Sequence, residues 1–337
     1  MAPDYPARMP LAHLPTPLME LKQLGRDLGV PIYIKRDDFT GSALSGNKIR
    51  KLEYVLAEAR DQAANVVLTC GGAQSNHCRA TAAAAARTGL KCRLILRTDD
   101  PAHPPALDGN LLLDRLLGAE IVWITPAEYR AVDTIFQREA AQLKSQGHTP
   151  YIIPEGASNA LGSWGYIRAA RELKNDLEQI SGSRDGVTSI VIATGSGGTA
   201  AGLILGTRLY DRFAEVVSVN VCDDESYFRK KIGKICETAI ERFNLDIPFD
   251  RKQDIRIVDG YVGAGYALSR PEELALIRDV ARREGIFLDP VYTGKAFYGM
   301  VSELKKDPRC FGERIVFIHT GGLFGLFPKA AELAPLL

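Results

Sequence analysis

The feature that most constrains how this chain folds is a rhythm: short runs dominated by valine and isoleucine alternate with stretches of helical periodicity. The runs are Val66–Cys70, Cys92–Arg97, Ile121–Ile124, Tyr151–Ile153, Ser189–Thr194, Val216–Cys222, Ile255–Val258 and Arg314–His319. Most are apolar throughout, as strands are when both faces are buried. Such strands separated by helices form parallel sheets with helices packed on them, so the expected class is α/β. Between the runs, Ile49, Leu52, Val55, Leu56 and Ala59 fall on one helical stripe. The stretch Ala80–Ala86 is a strong helix former with Gly89 as its expected stop.

A chain of 337 residues exceeds what one core usually supports, which predicts two domains. Its 42 Lys+Arg offset 41 Asp+Glu to a net charge of +1, without the positive excess that phosphate-backbone binding requires. The expected partner is therefore a small molecule, not a nucleic acid. No uncharged apolar run approaches the ~18 residues of a membrane span, and the proline-rich start lacks the apolar core and cleavage site of a secretory signal. A cytoplasmic protein is expected. The 6 cysteines are scattered with no CxxC pair or histidine cluster, so reduced, mostly buried thiols and no metal site are expected. Arg229, Lys230, Lys231 and Lys234 read as a solvated helix face.

Chemistry collects where strands run into turns, because helix N-termini and free amides gather beyond the carboxyl ends of parallel strands. SIVIATGSGGTAAGL, Ser189–Leu203, runs from a strand through Gly195, Ser196, Gly197, Gly198 and Thr199 into a small-residue helix. Glycines let the backbone approach an oxyanion, and the two hydroxyls add donors. Neither GxxxxGK[ST] nor a strict GxGxxG is present, so a single phosphate suits this loop better than a nucleoside triphosphate. In GNKIRKLE, Lys48 opens a helix, where the macrodipole disfavours its ammonium and promotes the nucleophilic amine. In LTCGGAQSNHCR, Ser75 is placed to cap a helix, leaving amides and the Asn76 side chain to hold a carboxylate. Each stretch also has an ordinary reading: a tight turn, a solvated lysine, a helix cap.

Taken in order, GNKIRKLE, GGAQSNH, ATGSGGTAAGL, LDPVYTGKA and FIHTGG resemble the pyridoxal-phosphate (PLP) enzymes of fold type II, the tryptophan-synthase-β-like superfamily. Within it the resemblance is to the 1-aminocyclopropane-1-carboxylate deaminase and D-cysteine desulfhydrase branch, and it runs from about Leu14 to Phe327. It implies a two-domain, three-layer αβα protein with parallel sheets, a large domain from 1–50 plus 164–337 and a small inserted domain at 51–163, working as a homodimer. It also implies that Lys48 carries the cofactor, and that Gly195, Ser196, Gly197, Gly198 and Thr199 bind its phosphate with Lys51. Asn76 is then expected at the ring 3′-oxygen, Ser75, Asn76 and His77 at the substrate carboxylate, and Thr293 and Thr320 at the cofactor, with the Thr320 hydroxyl facing the ring nitrogen. Tyr292 is expected against the cofactor as acid or stabiliser, with Ser75 as a further catalytic residue and Tyr266 as a wall of the substrate pocket.

The resemblance also bears on the reaction. In the cyclopropane deaminases a glutamate follows the tyrosine and faces the ring nitrogen, whereas here Thr293 follows Tyr292. A neutral hydroxyl deepens the electron sink less than a carboxylate does, and expelling sulfide asks less than opening a cyclopropane. The expected activity is therefore α,β-elimination of D-cysteine to pyruvate, sulfide and ammonia. Alternatives are an L-cysteate sulfo-lyase, a cyclopropane deaminase, a β-replacing synthase and a non-catalytic amino-acid or PLP binder. A sulfonate would need a cation or extra donors near the β-position, and the sequence leaves open which side chains of the loop Arg97–Asn110 face the pocket. Ser45 and the GGLFGLF segment depart from the family pattern. His319 is expected to pack and hydrogen-bond.

Overall fold

The computed structural model describes residues 3–180 and 186–337. Its strands are β1 (Leu18–Glu20), β2 (Ile32–Lys35), β3 (Val66–Gly72), β4 (Lys91–Arg97), β5 (Glu120–Ile124), β6 (Pro150–Ile152), β7 (Thr188–Thr194), β8 (Glu215–Asn220), β9 (Arg256–Val258) and β10 (Arg314–Ile318). They form a six-stranded sheet in the order β1-β2-β10-β7-β8-β9 and a four-stranded sheet in the order β5-β4-β3-β6. Every expected strand is present, with ends shifted by one or two residues. The strands β1 and β2 were not expected, and their antiparallel pairing is the one departure from parallel register.

Strand periodicity explains the layers. Along β7, Ile190 and Ile192 join one apolar cluster while Val191 and Ala193 join another on the opposite face. Along β10, Val316 and Ile318 divide from Ile315 and Phe317 in the same way. In the smaller sheet Val66, Leu68 and Cys70 face one cluster and Val67 the other. Both sheets are thus covered on both faces, which explains why these runs lack the alternation of half-exposed strands. The edge strands β6 and β9 are only half-buried.

Three helices carry or support the site: Lys48–Asp61, Trp164–Ile180 and Gly198–Leu209. They pack nearly backbone to backbone. A β-carbon added at Gly165 would lie 2.4 Å from the Arg50 carbonyl oxygen, and one at Gly202 would lie 2.3 Å from that of Ser163. A buried charge network fixes the same junction. Arg50 donates to Asp37 at 2.7 Å and to Glu172 at 2.9 Å, and Lys35 reaches Glu172 and Asp176, each at 2.6 Å. Burial alone would raise the Glu172 carboxyl, but hydrogen bonds and charge from Arg50 and Lys35 hold it down to about 2.

Candidate active site

Lys48 is the first residue of its helix, directly after the turn that ends at Asn47. Its Nζ donates to Asn47 Oδ1 at 2.8 Å, and Asn47 Nδ2 donates onward to Thr199 Oγ1 at 2.9 Å. One asparagine therefore ties the lysine to the glycine loop. Nζ also lies 5.7 Å from the Tyr292 ring centroid. Burial lowers the Lys48 pKa from 10.5 to about 8, with Asp289 and Glu155 opposing and Arg79 assisting. The lowering matches the sequence expectation, but its leading cause is desolvation, where the helix dipole had been expected.

The loop after β7 turns at Gly195–Gly197 into the helix that starts at Gly198. Ser158, far away in sequence, closes this loop. Its Oγ lies 2.8 Å from Ser196 Oγ and accepts from Gly198 N at 3.3 Å and from Lys51 Nζ at 3.1 Å. A β-carbon at Gly198 would come within 2.7 Å of Ser158 Cα, so the cradle exists only with glycine there. Lys51 is completely buried, and Ser158 is its only hydrogen-bond partner among the described residues. Burial pushes its pKa well below normal, and Lys48 and Lys231 push in the same direction. An ammonium buried beside other cations without a counter-ion is costly. The missing partner is an anion, and a phosphate monoester at the glycine loop supplies one.

The third element follows β3. Ser75 caps the helix Asn76–Thr88, its Oγ accepting from Cys78 N at 3.2 Å. First-turn amides of a helix have no intrahelical acceptor, so those of Asn76 and His77 remain for a ligand. Asn76 Oδ1 accepts from Asn110 Nδ2 at 2.9 Å, which leaves Asn76 Nδ2 as a donor. Asn110 is itself fixed, bonding the Gln74 carbonyl at 3.0 Å and receiving Arg79 Nε at 3.2 Å. The His77 side chain is already engaged elsewhere. Its Nε2 lies 2.7 Å from Thr69 Oγ1, which spends its proton on the Ile153 carbonyl, so the proton of the imidazole sits on Nε2. Nδ1 is a bare, buried acceptor without a partner in the structure, and burial, then Lys48 and Lys51, keep the ring neutral. The side chain therefore cannot donate from Nδ1 to a carboxylate, and only the His77 backbone amide can.

Across the cleft, Tyr292 and Tyr266 place their hydroxyls 2.7 Å apart. The Tyr292 ring closes on the glycine loop, its Cε1 being 2.9 Å from where a Gly195 β-carbon would stand. Burial, then Tyr266, raises the Tyr292 pKa well above 10, and Tyr266 is raised to about 12, chiefly by burial. Both are protonated donors at neutral pH. Asp289 shapes the turn carrying Tyr292, accepting from the amides of Val291 and Tyr292 at 3.0 Å each and of Thr293 at 2.7 Å.

Thr293 also departs from its expected role. Its hydroxyl donates to Asp289 Oδ1 at 2.7 Å, accepts from Asp289 N at 2.7 Å and is fully buried. It holds the Asp289 turn and offers no hydroxyl to a cofactor. The Thr320 side chain, by contrast, makes no hydrogen bond among the described residues, while its carbonyl accepts from Asn47 N at 3.2 Å. His319 is structural, with Nε2 2.9 Å from the Phe287 carbonyl and Nδ1 accepting from Gly321 N at 3.1 Å.

A lysine amine of lowered pKa beside a single-phosphate cradle, faced by aromatic rings between two αβα layers, defines an enzyme that works through a bound aldehyde cofactor carrying a phosphate. The chain belongs to the pyridoxal-phosphate dependent enzyme family, whose profile matches residues 9–321. It is 45% identical over 334 residues to an Arabidopsis thaliana protein named bifunctional D-cysteine desulfhydrase/1-aminocyclopropane-1-carboxylate deaminase, mitochondrial, covering 97% of this chain and 81% of that protein. A Yersinia pestis D-cysteine desulfhydrase is 37% identical over 322 residues, covering 95% of each chain. Among solved structures, one described as an ACC deaminase homologue superposes with a TM-score of 0.88 at 37% identity, covering 99% of this chain and 97% of that one. The fold is that of PLP fold type II and the cofactor is pyridoxal phosphate.

Sequence reasoning missed Asn47 and Ser158, and it left open which side chains of the loop Arg97–Asn110 face the pocket; the structure brings Asn110 to Asn76. Asn47 stood inside a motif already singled out, between Gly46 and Lys48, whereas Ser158 arrives from a distant segment with no local signal. Among the described residues no helix is long and apolar enough to cross a membrane, and no His, Cys, Asp and Glu side chains cluster to hold a metal. All six cysteines are free, four of them buried.

Proposed function

We propose that the protein is a PLP-dependent carbon–sulfur lyase that converts D-cysteine and water to pyruvate, hydrogen sulfide and ammonia. The observation that carries this reading is the Asn47 bridge, which places the Lys48 amine between the phosphate cradle and the paired tyrosines. The names of the Arabidopsis and Yersinia relatives support the substrate. When bound, the cofactor supplies a conjugated ring able to accept the electron pair left at the α-carbon. Gly195, Ser196, Gly197, Gly198, Thr199 and Lys51 would hold its phosphate, with Ser158 closing the cradle. Asn76 Nδ2 would meet the 3′-oxygen and the Thr320 hydroxyl the ring nitrogen.

The chain's own groups then divide the work. The amides of Asn76 and His77, with Ser75, receive the substrate carboxylate at a helix N-terminus. The Lys48 amine, uncharged above about pH 8, takes the α-proton. Tyr292, held protonated, donates toward the departing sulfur. The Tyr266 hydroxyl keeps Tyr292 oriented.

Purified holoenzyme is expected to release pyruvate and sulfide in equal amounts from D-cysteine. No release would sink the reading. Deamination of the cyclopropane amino acid is a second reading, favoured by the double name of the Arabidopsis relative, and an assay for 2-oxobutanoate released from that substrate decides it. The proposal includes a small domain at 51–163 and a homodimer, both supported by the family resemblance, and a cytoplasmic setting. Lys51→Met is expected to weaken PLP binding about 10- to 100-fold, the worth of a hydrogen bond to a charged group. Titration of cofactor-free protein measures it, and unchanged affinity would remove Lys51 from the phosphate site.

A further inference from the structure

We propose that Arg97 is the specificity-determining cation of this site, its guanidinium receiving a negatively charged β-substituent of the amino-acid substrate. The inference rests on the Lys48 reading above and narrows its substrate class. Arg97 ends β4 in register with Gly72, from which the Ser75 loop departs. Its guanidinium carbon lies 4.7 Å from the Tyr266 ring centroid and 4.5 Å from that of Tyr129. Tyr266 is hydrogen-bonded to Tyr292, whose ring faces Lys48 Nζ. Arg97 therefore stands directly against the outer member of the tyrosine pair, one ring beyond Tyr292.

What sets it apart is the lack of an anion. Arg93, four residues earlier on the same strand face, is bound by Glu120 at 2.8 Å and Glu139 at 3.0 Å. The guanidinium of Arg97 has no hydrogen bond and no ion pair with any described residue, and two aromatic rings flank it. Glu155 is the carboxylate that acts on it electrically, yet Glu155 accepts from the Tyr129 hydroxyl at 2.7 Å and faces Lys231 at 3.9 Å. A planar, permanently charged donor set held by two aromatic rings and left without an oxygen is a preformed receptor for an anion. The α-carboxylate has its own receptor in the amides at Ser75–His77, so the anion that suits Arg97 is a second one, on the side chain. In elimination from cysteine the Cβ–S bond breaks and its electron pair leaves on sulfur, so negative charge grows on the β-substituent. Opening a cyclopropane puts no charge on a heteroatom. The substrate class is thus α-amino acids whose β-substituent carries negative charge or departs with it.

The test uses holoenzyme and equilibrium binding read from the visible absorption of the lysine-bound cofactor, with cysteate as the anionic probe and alanine as the neutral one, each as both enantiomers. Wild type is expected to bind the preferred enantiomer of cysteate at least about tenfold tighter than alanine. Arg97→Met is expected to erase that preference while leaving alanine affinity and the resting absorption in place. Arg97→Lys should restore part of it. Equal affinity of wild type for the two probes would overturn the proposal, and so would a parallel loss of both in Arg97→Met and Arg97→Gln. Because binding is read from cofactor absorption within the mixing time, before any pyruvate accumulates, charge preference persists even if D-cysteine yields no pyruvate, and the two readings fail separately.

Discussion

Lys48→Ala is expected to lower D-cysteine turnover by at least about 10³-fold, because one side chain is both the covalent anchor and the base that moves the α-proton. The variant should still bind PLP through the glycine loop and Lys51, so its spectrum should change to that of the free aldehyde while cofactor content stays high. Normal pyruvate release from Lys48→Ala would end the mechanism. The wild-type lysine carries a further signature. Burial lowers its pKa to about 8, so the reactive amine fraction rises through pH 8 and falls below it. The rate at which cofactor-free protein captures PLP should climb with pH around 8, about two units below where an ordinary lysine would respond. A rise centred near 10.5 would show a solvated amine.

Tyr292→Phe is expected to lower kcat by about 10²- to 10³-fold, the usual worth of a positioned proton donor, with little change in KM or in cofactor absorption. The ring would still close on the Gly195 turn, so packing is conserved and the loss isolates the hydroxyl. Tyr266→Phe should cost less, about tenfold, because it removes a hydrogen bond to the donor and not the donor itself. If Tyr292→Phe kept kcat within twofold of wild type, its hydroxyl would be a positioning contact only.

The parts of the site that the sequence revealed are those written locally. A strand running into glycines and then a helix is a continuous pattern, so the cradle at Gly195–Thr199, the Ser75 cap and Lys48 could all be read from neighbours. Ser158 meets Lys51 across 107 residues, Asn47 meets Thr199 across 152 and Asn110 meets Asn76 across 34, and no window of sequence contains both partners. What the Thr293 and His77 side chains do was hidden for a related reason. Composition shows a hydroxyl and an imidazole but not which groups have already claimed them, here Asp289 and Thr69. In the fold, β1 and β2 were overlooked because they are short and interrupted by charge, Glu20 in one and Lys35 in the other. Lys35 could stand in a buried strand only because Glu172 and Asp176, from a helix more than a hundred residues on, neutralise it.

The near-contact of backbones at Gly165 and Gly202 has an evolutionary consequence. With no space for even a methyl group where each meets the helix Trp164–Ile180, the lysine-bearing helix and the cradle helix cannot be re-spaced against it by gradual substitution, so the machinery that grips the cofactor has little freedom to drift. Arg97 and the loop that follows it sit outside that locked junction. A descendant of this protein would acquire a new substrate by exchanging residues there, with its chemistry inherited intact.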